Sequence, residues 1–324
     1  MNLLLIGAGQ LGSRHLQSCL KLQYKLNIYV VDHSENSLAL SEERANEIEN
    51  SANHKLHYLT DLSLIDELSF EILIIATGAS VRFEVLANVL KSFSIKYAIL
   101  EKVLFQKLQD FTEATFLLEE NKVTTFVNCP LRVYPFFKEI KKQYISAKGG
   151  TKLKYVGGEW IGLACNSIHY LDLMNFLTGE ELSDISTEHL DDGFINSKRP
   201  GNIEFTGNLD ASFSSGSKLT IEAIKGSEQN STIEIASGVY QIVIEELTGK
   251  YCVFENGLLV EDSHYNILYQ SDLTHRMIEQ IEEFGLCDLI DFDGSVKLHQ
   301  IFISKLLEHY NKFSDIETKT LPIT

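Results

Sequence analysis

Basic residues are scarce in this chain: 28 Lys and Arg stand against 45 Asp and Glu, a formal net charge of −17. That balance argues against a nucleic acid or an anionic membrane as partner, because binding phosphate backbones relies on Lys and Arg. It still permits an anionic small substrate in a local basic pocket. Cysteine is also sparse and scattered, at Cys19, Cys129, Cys165, Cys252 and Cys287. An odd number with no CxxC or zinc spacing points to neither a disulfide framework nor a metal centre, and to a reducing, cytoplasmic setting. No apolar run is long enough to span a bilayer. The first strand begins at residue 2 without a charged leader, so no signal peptide is expected. Tryptophan occurs once, at Trp160. What remains is ordinary globular material, 44% apolar over 324 residues, enough for two domains.

The N-terminus carries the strongest signal. An apolar strand over residues 3–6 runs into Gly7-Ala-Gly-Gln-Leu-Gly12, and a helical stretch follows. This is the dinucleotide fingerprint in its required strand–turn–helix setting. Gly7 permits the tight turn, Gly9 lets the backbone approach a pyrophosphate, and Gly12 lets helix and sheet pack closely. Gln10 and Leu11 complete the loop. A second apolar strand over 26–32 ends in Asp32, at the spacing of the acid that binds the adenosine ribose hydroxyls. A 2′-phosphate there would be repelled, and His33-Ser-Glu-Asn36 offers no cation to offset it. NAD is therefore expected in preference to NADP.

Strands over 3–6, 26–32, 55–59, 71–76, 97–100 and 123–127 alternate with helical segments, for example 37–49 and 82–92. This alternation predicts a doubly wound parallel sheet. Asp61 is a candidate helix cap before the fourth strand. Beyond residue 152 the pattern changes. Leu219, Ile221 and Ala223 alternate, as do Ile233 and Ile235, and Asn256-Gly257 between two apolar runs predicts a hairpin. These features predict an α+β domain with a mostly antiparallel sheet, one face on helices and the other solvated or against a second subunit.

Several constellations could carry chemistry. Glu101-Lys102 follows the fifth strand, at the end where such sheets bind ligands; Lys102 could polarise a hydroxyl and Glu101 orient it, or the two could be a solvated pair. Residues 165–179 read as a helix closed by Gly179, with Cys165, His169 and Asp172 on one face. His169 could carry a proton with Asp172 orienting it, or be a satisfied histidine; no further ligands are spaced for a metal. Arg132 could clamp an anionic substrate group or pair with an acidic residue. Trp160 could stack on a sugar ring or belong to a core. His15, in the first helix, is structural or adjacent to nucleotide.

Gly7–Gly12 with His15, Ala76-Thr77-Gly78, Glu101-Lys102, Asn128 with Arg132, and the helix of His169 and Asp172 together resemble the Gfo/Idh/MocA family of oxidoreductases over the whole chain. The resemblance implies a Rossmann domain over 1–127. It also implies an α+β domain over 128–324 whose large open sheet builds a homodimer or homotetramer, with a last helix near 295–312 packing back on the first domain. It implies hydride transfer between NAD and a hydroxyl or keto carbon of a sugar, cyclitol or sugar nucleotide. It assigns Lys102 and His169 to the acid–base set, supported by Glu101 and Asp172. Cofactor contacts would come from the glycine loop, Asp32, His33, Ala76, Thr77 and Glu101. Substrate contacts would come from Lys102, Arg132, Trp160, Cys165, Asn166 and His169. Three positions depart from the family pattern. Val103 replaces a proline, which predicts a looser loop at Lys102. Cys165 replaces an aspartate, a role that Asn166 or Asp172 would have to take. Gly78-Ala79 replaces Pro-Asn. These departures keep two alternatives open: an NAD- and sugar-binding sensor without turnover, and a lyase or glycosidase that oxidises its substrate transiently.

Overall fold

In a computed structural model, residues 1–146 and 149–324 are described. The chain opens with β1 (Asn2–Ile6), α1 (Gln10–Cys19), β2 (Asn27–Val31), α2 (Glu35–Asn46) and β3 (Lys55–Leu59). It continues through β4 (Ser69–Ile75), α3 (Ala79–Ser92), β5 (Ser94–Glu101), α4 (Leu108–Glu120) and β6 (Thr124–Asn128). Next come α5 (Pro135–Tyr144), β7 (Lys152–Gly158), α6 (Leu163–Thr178), β8 (Leu182–Leu190), β9 (Ile195–Asn196) and β10 (Ile203–Glu204). A run of strands follows: β11 (Gly207–Phe213), β12 (Lys218–Ile224), β13 (Thr232–Ser237), β14 (Tyr240–Glu245), β15 (Lys250–Glu255) and β16 (Leu258–His264). The chain closes with α7 (Thr274–Phe284), β17 (Ile290–Asp291) and α8 (Phe292–Phe313).

Two compact units result. The first comprises Met1–Phe105, Gln109–Asn128 and Leu268–Asp293. Its sheet has the order β3-β2-β1-β4-β5-β6-β17, parallel except for β17, which runs antiparallel to β6. The strands are apolar on both faces, as a parallel sheet covered by helices requires; Leu3, Leu4 and Leu5 are all buried. Strand order reverses between β1 and β4. That switch point is where ligands bind in open α/β sheets. Asp61 does cap a short turn, its Oδ1 accepting from the Ser63 amide at 2.8 Å.

Sequence pattern assigned 268–293 to the second domain, but the structure counts this segment with the first unit. Two interactions tie it there. β17 extends the sheet beyond β6, and α7, whose Met277, Ile278 and Ile281 are buried, packs against α1, with Thr274 and His275 bonded to His15 and Ser18.

The second unit comprises Gln106–Leu108, Cys129–Ile267 and Gly294–Thr324. Its sheet has the order β16-β15-β14-β13-β7-β12-β11-β8, and only β7 and β12 pair in parallel. Leu219, Ile221 and Ala223 are buried on one face with Ile233, Ile235, Ile242 and Ile244, and α6 packs against β12. The opposite face carries charge, including the Lys154–Glu222 pair at 2.8 Å. Asn256 (φ 50°) and Gly257 (φ 79°) form the expected positive-φ turn between β15 and β16. From Gly294 onward, α8 belongs to this unit.

Candidate active site

At the switch point the glycine loop has the geometry its residue types require. Gly7 adopts φ 93°, and a Cβ there would lie 2.9 Å from the Ala76 carbonyl. A Cβ on Gly12 would lie 1.7 Å from the Gly7 carbonyl oxygen, so only glycine lets α1 start this close to the turn. A Cβ on Gly9 would meet nothing within 4 Å. Gly9 is also the N-cap of α1 and supplies no side-chain cap. Open space over an uncapped helix N-terminus suits a pyrophosphate, which amides and dipole would stabilise.

Asp32 reaches this loop: its Oδ2 accepts from the Ala8 amide at 2.8 Å, and its Oδ1 from the Ser34 amide at 2.9 Å. His33 is 98% exposed beside it. Gln10 and Leu11 lie in the first turn of α1, and the Gln10 side chain accepts from Arg44 at 2.7 Å. On the neighbouring β4 loop, the Ala76 amide donates to Ile6 at 2.8 Å. Thr77 Oγ1 is buried with no hydrogen-bond partner among the described residues. A glycine turn matched to its three spatial demands, an acid held beside it and an orphaned hydroxyl together fit a bound dinucleotide.

Glu101 ends β5 inside a closed, mostly buried ring of hydrogen bonds. Its Oε1 meets His15 Nε2 at 2.8 Å and also accepts from Asn128 Nδ2. Asn128 donates in turn to Gln270 Oε1 at 2.8 Å, Gln270 Nε2 donates to Thr274 Oγ1 at 2.8 Å, and Thr274 returns to His15 Nδ1 at 2.9 Å. Burial by itself would push the Glu101 carboxyl up. The His15 and Asn128 bonds and the nearby Arg82 cation outweigh it and hold the carboxyl below the usual carboxylate range. His15 is thus a structural partner of Glu101. The half-buried Lys102 follows directly. The loop expected to be loose without proline is anchored instead: Val103 is buried, and its carbonyl accepts from Arg82. The Lys102–Val103 peptide is cis.

In the second unit, α6 carries Cys165, Asn166, His169 and Asp172, with Gly162 at its start and Gly179 (φ 72°) closing it. Cys165 and Asp172 are buried and His169 is half-buried. Arg132 Nε donates to Asp172 Oδ2 at 2.9 Å, and its Nη2 to Asn175 Oδ1 at 3.2 Å. Arg132 therefore pairs with an acidic residue, one of the two roles its sequence position left open. Burial pushes the Asp172 carboxyl up to about 7 against the pull of Arg132. Asn166 Nδ2 donates to the Ile161 carbonyl at 2.7 Å, closing the turn before the helix. Trp160 lies in that turn, its Nε1 donating to the Gln229 carbonyl at 3.0 Å. Among the described residues, no group of His, Cys, Asp and Glu is arranged to hold a metal.

The first unit thus gathers the glycine loop, Asp32, Ala76 and Thr77, with Glu101 and Lys102 at the end of β5; the second gathers Arg132 with the residues of α6. Several residues of these sites had escaped the sequence reading. Glu204 Oε2 accepts from the Ala164 amide at 2.6 Å and caps α6, which Gly162 cannot do. Glu246 accepts from Tyr170 at 2.6 Å and Tyr155 at 3.0 Å, whose rings stack at 3.9 Å. Gln270, Thr274 and Arg82 complete the surroundings of Glu101. Only Arg82 left a trace in the sequence, as a cation in the first turns of an otherwise apolar helix face.

No family model matches the chain, and no curated protein matches its sequence. Solved structures do. An oxidoreductase from Agrobacterium radiobacter in complex with NAD+, L-tartaric acid and magnesium shares 14% identity at TM-score 0.74, with 96% of this chain and 97% of that chain covered. UDP-N-acetylglucosamine 3-dehydrogenase GnnA from Acidithiobacillus ferrooxidans shares 14% identity at TM-score 0.66, covering 94% and 96%. A super-repressor mutant of Gal80p from Saccharomyces cerevisiae shares 14% identity at TM-score 0.71, covering 96% and 95%. At such identities the likeness is one of fold, and the fold of this chain is that of the Gfo/Idh/MocA-type oxidoreductases.

Proposed function

We propose that the protein is an NAD-dependent oxidoreductase that moves a hydride between nicotinamide and a hydroxyl or keto carbon of a sugar, cyclitol or sugar nucleotide. The observation that carries this reading is the glycine turn at the switch point, open above Gly9 and flanked by the Asp32 carboxylate. Asp32 favours NAD, since a 2′-phosphate would meet its charge with no Lys or Arg in residues 33–36 to offset it. When bound, nicotinamide supplies the hydride acceptor or donor, and the protein supplies position and charge. Lys102 polarises the reacting C–O bond with its ammonium. In the oxidative direction His169 takes the hydroxyl proton as the C–H hydride departs; in the reductive direction it returns that proton. Two of the neighbouring structures support the assignment, one holding NAD+ and one named as a sugar-nucleotide dehydrogenase.

A second reading has a specific support. Gal80p shares the fold and is described for one yeast as a transcriptional regulator, so this architecture is also found in a regulatory protein. One assay separates the readings. Purified protein is incubated with NAD and a panel of sugars, cyclitols and nucleotide sugars while reduced-nicotinamide absorbance is followed, with calorimetric titration of NAD and NADP alongside. A rise with one compound class, and stronger binding of NAD than of NADP, is expected. NAD binding with no redox change on any compound in either direction supports the regulatory reading. Product formed without net reduced nicotinamide supports transient oxidation by a lyase or glycosidase.

A further inference from the structure

Arg82 lies on α3, is 1% exposed, and directs its guanidinium at main-chain oxygens from two loops. Nη1 donates to the Val103 carbonyl and, at 3.0 Å, to the Leu104 carbonyl. Nη2 donates to the Thr77 carbonyl. β4 and β5 are neighbours in the sheet, so this one side chain ties together the loops at their carboxyl ends. Burying a cation is costly, and an apolar side chain of similar volume often serves stability as well or better. Beyond helping to hold the Glu101 carboxyl down, the buried guanidinium commits its donors to three carbonyls of two loops, and this fixes where those loops run.

The residues around it indicate what this arrangement serves. Across 101–105, Glu101, Val103, Leu104 and Phe105 are buried, and Lys102 alone is half-exposed. On its N-terminal side the chain is fixed by the Glu101 ring. On its C-terminal side it is fixed by the Arg82 fork and by Phe105, which packs edge-on against Phe83 (6.0 Å) and Phe111 (5.1 Å). Lys102 is the single residue between these two anchors.

We propose that Arg82 is a positioning residue for Lys102: its guanidinium sets the backbone that aims the Lys102 ammonium, in place of a rigid residue at 103. The geometry holds whatever the reaction; the consequence for turnover rests on the oxidoreductase reading. A planar fork with fixed donor directions suits this task, and a lysine ammonium cannot reproduce it.

The test uses Arg82→Met, which keeps the stem and removes the donors, and Arg82→Lys, which keeps the charge. Competitive acetylation of the folded proteins, read by mass spectrometry, compares the reactivity of Lys102 with that of every other lysine. This readout needs no substrate. Lys102 is expected to change several-fold relative to the other lysines in Arg82→Met and less in Arg82→Lys. With a substrate in hand, kcat is expected to fall by about 100-fold in Arg82→Met, as for a reacting group displaced by about 1 Å, with the NAD affinity little changed. Unchanged relative reactivity of Lys102 in either folded variant overturns the proposal. If Arg82→Met does not fold, Arg82→Lys decides alone. An altered Lys102 with no redox activity on any compound retains the positioning role and counts against the oxidoreductase reading instead.

Discussion

Single residues here owe their properties to what burial does to charge. Asp172 has lost its water, and its pairing with Arg132 only partly offsets that, so its carboxyl titrates near 7 rather than near 3.8. A carboxyl whose folded-state value is raised binds more protons when folded than when unfolded. Its contribution to stability is full below about pH 4 and is lost as pH rises through about 7. Urea unfolding across pH 4–8 is therefore expected to show a loss of stability with rising pH that Asp172→Asn largely removes. An identical slope in the variant would show that Asp172 does not titrate in this range. Glu101 behaves in the opposite sense, because the His15 and Asn128 bonds and the Arg82 cation outweigh its burial. Its contribution is present above the ordinary glutamate range and is lost as pH falls through its lowered value. Asn128→Ala removes one of these supports, lets the carboxyl rise toward its ordinary range, and should lower stability near neutral pH while shrinking the loss on the acid side, as measured by the same titration.

At the scale of elements, the β1–α1 turn separates packing from binding within one motif. Gly9→Ala adds a methyl to open space at ordinary φ, so its thermal midpoint should stay within a few degrees of the wild type while NAD affinity drops by about tenfold or more. Gly12→Ala drives a methyl into the Gly7 carbonyl oxygen and should destabilise the fold by at least about 1–3 kcal/mol, seen as a lowered midpoint. The reverse ranking would mean that the loop does not hold the cofactor as described. Elements of this kind were legible because their signals are local. The glycine spacing, the Asp61 cap, the Asn256-Gly257 turn and the Gly179 helix stop each involve residues a few positions apart. The ring around Glu101 was not legible, since Gln270 and Thr274 enter from a segment far along the chain. β17 was hidden for a related reason: two residues on an edge carry no periodicity, and their place is set by pairing with β6. Arg82 was visible as a residue, but its carbonyl partners depend on how two loops meet. Glu204 caps α6 from a strand forty positions away, a relation that no helix-start signal contains.

At the scale of the whole molecule, an acidic chain with little sequence likeness to its structural neighbours shares their fold, with one sheet parallel but for β17 and one largely antiparallel. The second sheet ends at β16, where Leu258, Leu259 and Val260 are 72%, 55% and 53% exposed. Consecutive exposed apolar residues on an edge strand invite association. We propose a homodimer or homotetramer built through this sheet; light scattering at micromolar concentration should give a mass two or four times that of the chain, and a monomer would count against it. Among the described residues no helix is long and apolar enough to cross a membrane. The central claim is that Lys102, held between the Glu101 ring and the Arg82 fork, acts on the substrate while the glycine loop holds NAD. The most direct measurement compares turnover and NAD affinity in the wild type and Lys102→Ala. The expected result is a loss of turnover by orders of magnitude with nearly unchanged NAD affinity; normal turnover in Lys102→Ala would contradict the account.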